Sequence, residues 1–494
     1  MTMNIEIISK EKIKPSSSTP NHLRNFKLCL LDQLIPAPYA PILLFYPNSD
    51  SSTNSQVLKR LLVLKKSLSE ILARFYPLAG TIKDDLSIDC DDQGAYYITA
   101  RIKSHLFEFL DHPEIRLINR FLPLEGTSVT NIQVNVFECG GISVGVCISH
   151  KILDGTALSM FLKGWADAAF ASSKEVVYPD FSASSLFPAN DLRLKNDSMA
   201  MWGALFKKGQ FITKRFVFDG LAIAKLKEMA LSSSIGRHPT RVETISAFIW
   251  KCTMAASEQK HGSKKPSLIT HIVNLRKRAA PKFSEHSLGN LIWMASAKCS
   301  SVKDKETIQL PGLVHQLTKS ISKIDADYVK KLRSEEAPLM MYKHFKEIGE
   351  FISNGSADCF GFTSWCKLGF YDADFGWGKP VWRRRRAGRK SSAGTALLGS
   401  SAAPRPALLG SNSIAGSGME DSAGRRCCCL QHRRGAACVS APTGATLQKE
   451  NSSSDRGAAG CKKQCRKALL AGRISSAGSG AAVAGCWRQL GFKP

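Results

Sequence analysis

The sequence predicts a mixed α/β protein of two domains carrying an unrelated basic tail, and three observations lead there. Segments with the apolar spacing of helices alternate with short strand-like runs from the N-terminus to about Trp382, an order of elements that fits neither a bundle nor a sandwich. The 494 residues, 44% hydrophobic and 22% charged, supply apolar material for more than one core. The composition then breaks. Residues 383–494 hold 20 Lys+Arg against 4 Asp+Glu, so they carry +16 of the formal +27, and 51 of these 112 residues are Ala, Gly or Ser.

The first helix is expected over Val57–Phe75, where Leu58, Leu61, Leu62, Leu68, Leu72 and Phe75 recur at helical spacing with Lys59, Arg60, Lys65, Lys66 and Glu70 between them. Tyr76-Pro77-Leu78-Ala79-Gly80 stops it, because proline cannot continue a helix and glycine permits the turn. Strands are expected around Ala95–Thr99, Ile132–Phe137 and Ile142–Ser149, the last two joined by the hairpin signal Glu138-Cys139-Gly140-Gly141. After His150-Lys151-Ile152-Leu153-Asp154-Gly155, the residues Leu158, Phe161, Leu162, Trp165 and Ala169 space a second amphipathic helix. Residues 176–196, rich in Ser, Pro and Asp and without a period, read as a linker, placed at 181–197 between domains 1–180 and 198–382. The second half offers strands at Lys214–Asp219 and Leu268–Leu275, and helices at Leu221–Leu231, Val242–Ala256 and Tyr328–Ile352.

No run of about 18 apolar residues occurs, which excludes a membrane-spanning helix, and the N-terminus lacks the features of a secretory or transit peptide. A cytoplasmic, monomeric protein is the expectation. Eight cysteines precede the tail (29, 90, 139, 147, 252, 299, 359 and 366), scattered without a CxxC pair, and read as reduced and mostly buried thiols.

Gly141-Ile142-Ser143-Val144-Gly145 has the letters of a hydrolase nucleophile elbow, but an elbow needs a strand before the serine and a helix after it. Here a turn precedes and strand-like sequence follows, so Ser143 reads as a strand residue. His150 ends an apolar strand and opens a loop closed by Asp154-Gly155, a position from which an imidazole can abstract a proton from an alcohol or amine attacking an acyl carbonyl. Asp154 could orient that ring, cap the following helix or pair with an arginine elsewhere. A metal reading would need ligands beyond Cys147, and none is expected.

A second motif, Asp374-Phe375-Gly376-Trp377-Gly378-Lys379-Pro380, follows Phe362-Thr363-Ser364-Trp365-Cys366. With the His150–Gly155 segment it makes the chain resemble the BAHD acyltransferases, plant enzymes that move an acyl group from coenzyme A to an alcohol or amine. Tyr76–Gly80, Ser246–Cys252, Val273–Arg276 and Gly289-Asn290 support the resemblance in the family's order, over about residues 3–382. The N-terminal segment from Ile5 to Leu34 is most similar to the vinorine-synthase-like branch, which implies acetyl or another small acyl group. The resemblance implies two mixed-sheet domains of chloramphenicol-acetyltransferase-like type and acyl-CoA as co-substrate, with no bound cofactor. It also implies His150 as general base in a channel between the domains, Asp154 in an ion pair with Arg276, and Asp374, Phe375, Gly376, Trp377 and Gly378 on a loop that maintains the fold. Trp377 is further expected to donate to the oxyanion of the tetrahedral intermediate. The coenzyme-binding residues stay unassigned.

The resemblance stops at Trp382, so the second domain is expected to be cut short and residues 383–494 to be disordered, as aromatics there are only Trp487 and Phe492. Their composition resembles translation out of frame or through an intron. The alternative reading from another functional class is an inactive acyltransferase relic whose arginine-rich tail binds nucleic acid electrostatically, although no specific nucleic acid is expected. Cys427, Cys428, Cys429, Cys461 and Cys465 are too irregularly spaced for a zinc site.

Overall fold

Strict alternation of side chains along a strand explains the centre of the N-terminal domain. In the computed structural model the strand Ile142–Ser149 is buried along its whole length, with Val144, Val146 and Ile148 in one apolar core and Cys147 in another on the opposite face. The structure describes residues 3–48, 54–124, 126–170, 176–189, 192–205, 213–231, 237–299, 308–353 and 357–382, together with the backbone strands 427–432 and 435–440.

The strands of the N-terminal half are β1 (Ile5–Ile13), β2 (Asn25–Lys27), β3 (Tyr39–Tyr46), β4 (Thr81–Ile82), β5 (Ser87–Asp89), β6 (Ala95–Ile102), β7 (Thr130–Phe137) and β8 (Ile142–Ser149). Its helices are α1 (Leu30–Gln33), α2 (Asn54–Arg74), α3 (Leu106–Asp111) and α4 (Gly155–Ala169). Five strands form a mixed sheet in the order β1-β6-β7-β8-β3, in which only the β6–β7 pair is parallel, and β2, β5 and β4 form a small separate sheet. The large sheet is covered on one face by α2 and α4 and on the other by α3 with the turn at Ile115–Phe121. The hairpin between β7 and β8 closes through Gly140, whose φ of 72° suits glycine.

The helix expected over Val57–Phe75 forms, but its buried stripe differs from the expectation. Val57, Leu64, Leu68, Ile71 and Leu72 face the core, whereas Leu58 and Leu62 are 61% and 66% exposed. A helix with leucine on two sides offers two candidate stripes, and the sheet selects the one that reaches Phe75 and Trp165.

The rest of the chain contributes α5 (Ala183–Leu186), α6 (Leu192–Leu205), β9 (Phe216–Val217), α7 (Gly220–Met229), α8 (Arg241–His261), β10 (Ser267–Asn274) and β11 (Ile292–Cys299). These are followed by α9 (Leu310–Ser322), α10 (Ala326–Lys331), α11 (Ala337–Ser353), β12 (Asp358–Ser364), β13 (Cys427–His432) and β14 (Gly435–Ser440). A second mixed sheet runs β11-β10-β12-β14-β13-β9. Leu268 and Ile269, adjacent in β10, enter two different cores, one shared with α6 and α11 and the other with α8 and α9.

Three expectations change here. The stretch read as a linker carries α5 and the start of α6, and its Phe187 is buried in the second half's core. The helix expected over Tyr328–Ile352 is two helices, α10 and α11. Within the tail expected to lack structure, β13 and β14 pair with each other, β14 lies antiparallel to β12, and β13 lies parallel to β9. Backbone pairing explains this, because β12 would otherwise present a row of unpaired main-chain groups, and a ladder requires no particular side-chain period. The remainder of 383–494, including Cys461 and Cys465, lies outside the described residues.

The two halves interlock. Leu30, Leu31 and Leu34, from the N-terminal half, are buried in the core of the second. In return Phe370 and Phe375 enter the first core, and Trp382 packs with Phe45 and Phe109. The boundary at 198–382 therefore does not follow the packing after β12.

Candidate active site

β8 delivers His150 to the seam where these exchanged segments meet, and the main chain on both sides of the residue is held. The His150 amide donates to the Pro38 carbonyl at 2.8 Å, and its own carbonyl accepts from Asn290 Nδ2 at 2.8 Å. Asn290 is held in turn by Asp32 Oδ1, which accepts from its main-chain N–H at 2.7 Å and from Nδ2 at 2.8 Å. Asp32 Oδ2 accepts from the Cys29 amide at 2.9 Å. Burial pushes the Asp32 carboxyl pKa up, opposed by the hydrogen bonds from Cys29 and Asn290. The imidazole Nδ1 of His150 is buried without a hydrogen-bond partner.

The three roles open to Asp154 resolve into two. One oxygen caps α4, accepting from the amides of Thr156 and Ala157 at 3.0 and 2.9 Å, and the other accepts from Arg276 Nη1 at 2.6 Å. Both partners of this ion pair are buried, Arg276 to 1% and Asp154 to 2% side-chain exposure. Arg276 Nη2 also donates to the carbonyls of Ser287 and Gly289, at 2.8 and 3.2 Å. Asn274 adds a further tie, donating to Thr156 Oγ1 at 3.0 Å. The carboxylate of Asp154 is thus committed to the helix end and the arginine, and it joins the histidine loop to the second sheet.

Lys151 turns the other way. Its buried ammonium lies 3.3 Å from Asp85, which also pairs with Lys195 of α6. Burial lowers the Lys151 pKa, and the charge of Asp85 opposes that shift. Asp32, Asn290 and Lys151 were not singled out from the sequence as site residues. The available signal was an acidic residue, Asp32, inside the apolar run Leu28–Leu34.

The loop of Asp374, Phe375, Gly376, Trp377 and Gly378 stands elsewhere. Asp374 Oδ1 accepts from the amides of Gly376 and Gly378, both at 2.9 Å, and those glycines have φ of 100° and 103°, which L side chains rarely adopt. Phe375 packs against Trp165 and Tyr46. Trp377 stacks on Phe375, meets Tyr46 edge-on, and has the Arg60 guanidinium over its ring at 5.6 Å. Tyr46 pairs with Ile142 at the start of β8, while Tyr39 pairs with Ser149 at its end. At about 3.3 Å per residue the strand from Ile142, opposite Tyr46, to His150 is about 26 Å long, with the loop at one end and the histidine at the other. The expected oxyanion contact from Trp377 is therefore corrected: the indole sits at the opposite end of the strand from the histidine. Arg276, by contrast, is where the expectation put it.

Ser143 is a buried strand residue whose hydroxyl accepts from Asn135 Nδ2 at 3.1 Å, with no helix following it. Of the eight cysteines before the tail, six are buried and two, Cys139 and Cys366, are partly so. Among the described residues no group of three or more His, Cys, Asp or Glu side chains converges as a metal site.

Two mixed sheets clasped around a histidine, with a buried Asp–Arg pair four residues on, define an acyltransferase of the coenzyme A-dependent class. The Transferase family model matches residues 3–402. A limonoid 7-O-acetyltransferase from Citrus sinensis is 42% identical over 402 residues, covering 77% of this chain and 87% of that protein. An epi-neemfruitin B 7-O-acetyltransferase from Melia azedarach is 41% identical over 398 residues with the same coverage. The crystal structure of vinorine synthase superposes with a TM-score of 0.66 at 27% identity, covering 88% of this chain and 94% of that one. The chain belongs to the BAHD acyltransferase family, in its vinorine-synthase-like branch, and is an acyl-CoA-dependent acyltransferase.

Proposed function

We propose that the protein transfers an acetyl or similarly small acyl group from its coenzyme A thioester to a hydroxyl of a polycyclic plant metabolite, acting as a cytosolic monomer with His150 as general base. The observation that carries this reading is the state of His150: its main chain is tied on both sides, yet the buried Nδ1 has no protein partner. A histidine tied by its main chain on both sides, with a partly exposed side chain, presents its imidazole in a fixed place where a ligand's proton can meet it. Ser143, the serine of the elbow-like motif, does not compete with it, being buried in β8 and bonded to Asn135.

In the step itself, the imidazole takes the hydroxyl proton as the oxygen attacks the thioester carbonyl. The tetrahedral intermediate then collapses by breaking the C–S bond, and the imidazolium returns its proton to the leaving thiolate. No covalent acyl-enzyme is required. Asp154 and Arg276 fix the loop that presents the histidine, and Asp32 and Asn290 fix its carbonyl side. Similarity to the Citrus and Melia 7-O-acetyltransferases supports a limonoid-like alcohol as acceptor.

The test is turnover of acetyl-CoA by the purified chain with a limonoid bearing a free 7-hydroxyl, read as thiol release together with the mass of the ester. Thiol release that depends on the alcohol, with one acetyl group gained, is the expected result. Thiol release indifferent to any alcohol would mean thioester hydrolysis and would overturn the reading.

A further inference from the structure

Every residue of the turn His150–Asp154 is anchored. His150 is held through its main chain, Ile152 and Leu153 are wholly buried in the first core, and Asp154 caps α4 and meets Arg276. Lys151 is the costly member. Its side chain is 5% exposed, and burying an ammonium is unfavourable unless charge and hydrogen bonds compensate it, so packing alone would favour leucine or methionine at this position.

The compensation comes from two elements of the N-terminal half. Lys151 Nζ donates to the Gln33 carbonyl at the end of α1, at 3.4 Å, and lies 3.3 Å from Asp85 Oδ1 on the loop between β4 and β5. That loop has a set shape: Asp84 Oδ1 accepts from the amides of Leu86 and Ser87, at 2.8 and 2.7 Å, and the Leu86 carbonyl accepts from the Leu28 amide at 2.8 Å. The other oxygen of Asp85 pairs with Lys195 of α6. α6 is fastened to the same end of α1, where Ser198 Oγ and Trp202 Nε1 donate to the Leu34 carbonyl at 2.7 and 2.9 Å. One carboxylate thus bridges two ammoniums, one on the histidine turn and one on a helix of the second half. Asp85 itself is 42% exposed, so it can be altered without opening a core.

We propose that Asp85 is a positioning residue for acyl transfer: by holding the Lys151 ammonium it fixes the peptide that carries His150, and by holding Lys195 it fastens that peptide to the second half of the molecule. The proposal rests on the reading of acyl transfer at His150. The Asp154–Arg276 pair secures the far end of the turn, and the Asp85–Lys151 pair secures the near end, so the histidine turn is set between two ionic anchors. A small displacement of that turn moves the base away from the proton it must take, which costs rate rather than binding.

The experiment compares the full-length wild type with Asp85→Asn, Asp85→Glu, Lys151→Met and the double variant Asp85→Asn/Lys151→Met, reading kinetics with acetyl-CoA and the limonoid alcohol beside backbone hydrogen exchange by mass spectrometry. Asp85→Asn should lower kcat about tenfold with both KM values unchanged. Asp85→Glu, which keeps the carboxylate, should regain part of that loss, and the double variant should be no slower than Lys151→Met alone, since either change removes the same contact. Exchange in peptides spanning 149–153 should quicken about tenfold in Asp85→Asn while α8 exchanges as in the wild type. If melting shows Lys151→Met unfolded, the two Asp85 variants carry the test. With an active wild type, an unchanged kcat, losses that multiply in the double variant, or exchange that rises equally in α8 would overturn the proposal. Exchange also separates this from the catalytic reading. Faster exchange at 149–153 in Asp85→Asn, with no turnover by the wild type, would retain the anchor and reject the reaction. Unchanged exchange there would reject the anchor.

Discussion

Arg276 and Asp154 are a buried ion pair whose worth lies in not being broken singly. Removing one charge leaves the other desolvated and unpaired, at a cost of about 3–5 kcal/mol, whereas removing both leaves only the lost geometry. Arg276→Leu should therefore lower the free energy of unfolding by that amount in chemical denaturation, and Arg276→Leu combined with Asp154→Asn should be less destabilised than Arg276→Leu alone. Strict additivity of the two would mean that the pair is not coupled. His344 of α11, desolvated where its ring leans on Trp293, gives a second prediction at this scale. Its folded pKa, about 4, lies below the ordinary 6.5, so between these values the unfolded chain binds the proton that the folded chain refuses. The contribution is present above about pH 6.5 and is lost as pH falls toward 4, about 3 kcal/mol in all. His344→Phe should flatten stability against pH across that window, and an unaltered slope would contradict the assignment. Much of the catalytic motif was legible residue by residue: His150, Asp154 and Arg276 could be named from the sequence. Asp32, Asn290 and Lys151 could not be placed, because Asp32 and Asn290, Asn290 and His150, and Lys151 and Asp85 are far apart in the chain and meet only in the folded seam.

At the scale of elements, α2 shows what periodicity can and cannot decide. The helix was legible from its apolar spacing, but two stripes satisfied that spacing, and the choice between them belongs to the sheet it covers. Leu68→Ala should cost about 2–5 kcal/mol, since Leu68 is wholly buried, while Leu62→Ala should change stability by about 0.5 kcal/mol or less. Comparable losses in thermal or denaturant unfolding would restore the stripe that includes Leu62. β8 and α4 were readable almost to the residue, because alternation ends at Ser149 and Asp154 is a strong N-cap. β11 and β12 were missed, their apolar residues being divided between two cores that only the second sheet defines, whereas α9 was missed although Leu310, Leu313, Val314 and Leu317 form a regular stripe into one core. The loop at Asp374–Gly378 was legible as a motif but not as a location, since no local pattern reveals that Phe375 packs on Tyr46 and Trp165 of the other half.

On the scale of the whole molecule, the halves are joined by exchange: the Leu30–Leu34 segment is buried in the second core, the Phe370–Phe375 segment in the first, and polar ties gather around the histidine. β14 covers the edge of β12 that the chain would otherwise leave open. Truncation after Trp382 should expose that edge and yield a protein that aggregates faster on warming than the full chain, as read by light scattering. Equal scattering by the two would mean that the pairing contributes nothing to solubility. The central claim is that acyl transfer runs through His150 as base on this clasped scaffold. The most direct measurement is kcat for acetyl-CoA with the limonoid alcohol in His150→Ala, taken alongside its melting temperature. The account predicts a fall of about 10²–10⁴-fold with melting little changed, because the residue's fixed contacts are made by its main chain. Activity within about tenfold of wild type would contradict it, since loss of a general base costs more than that.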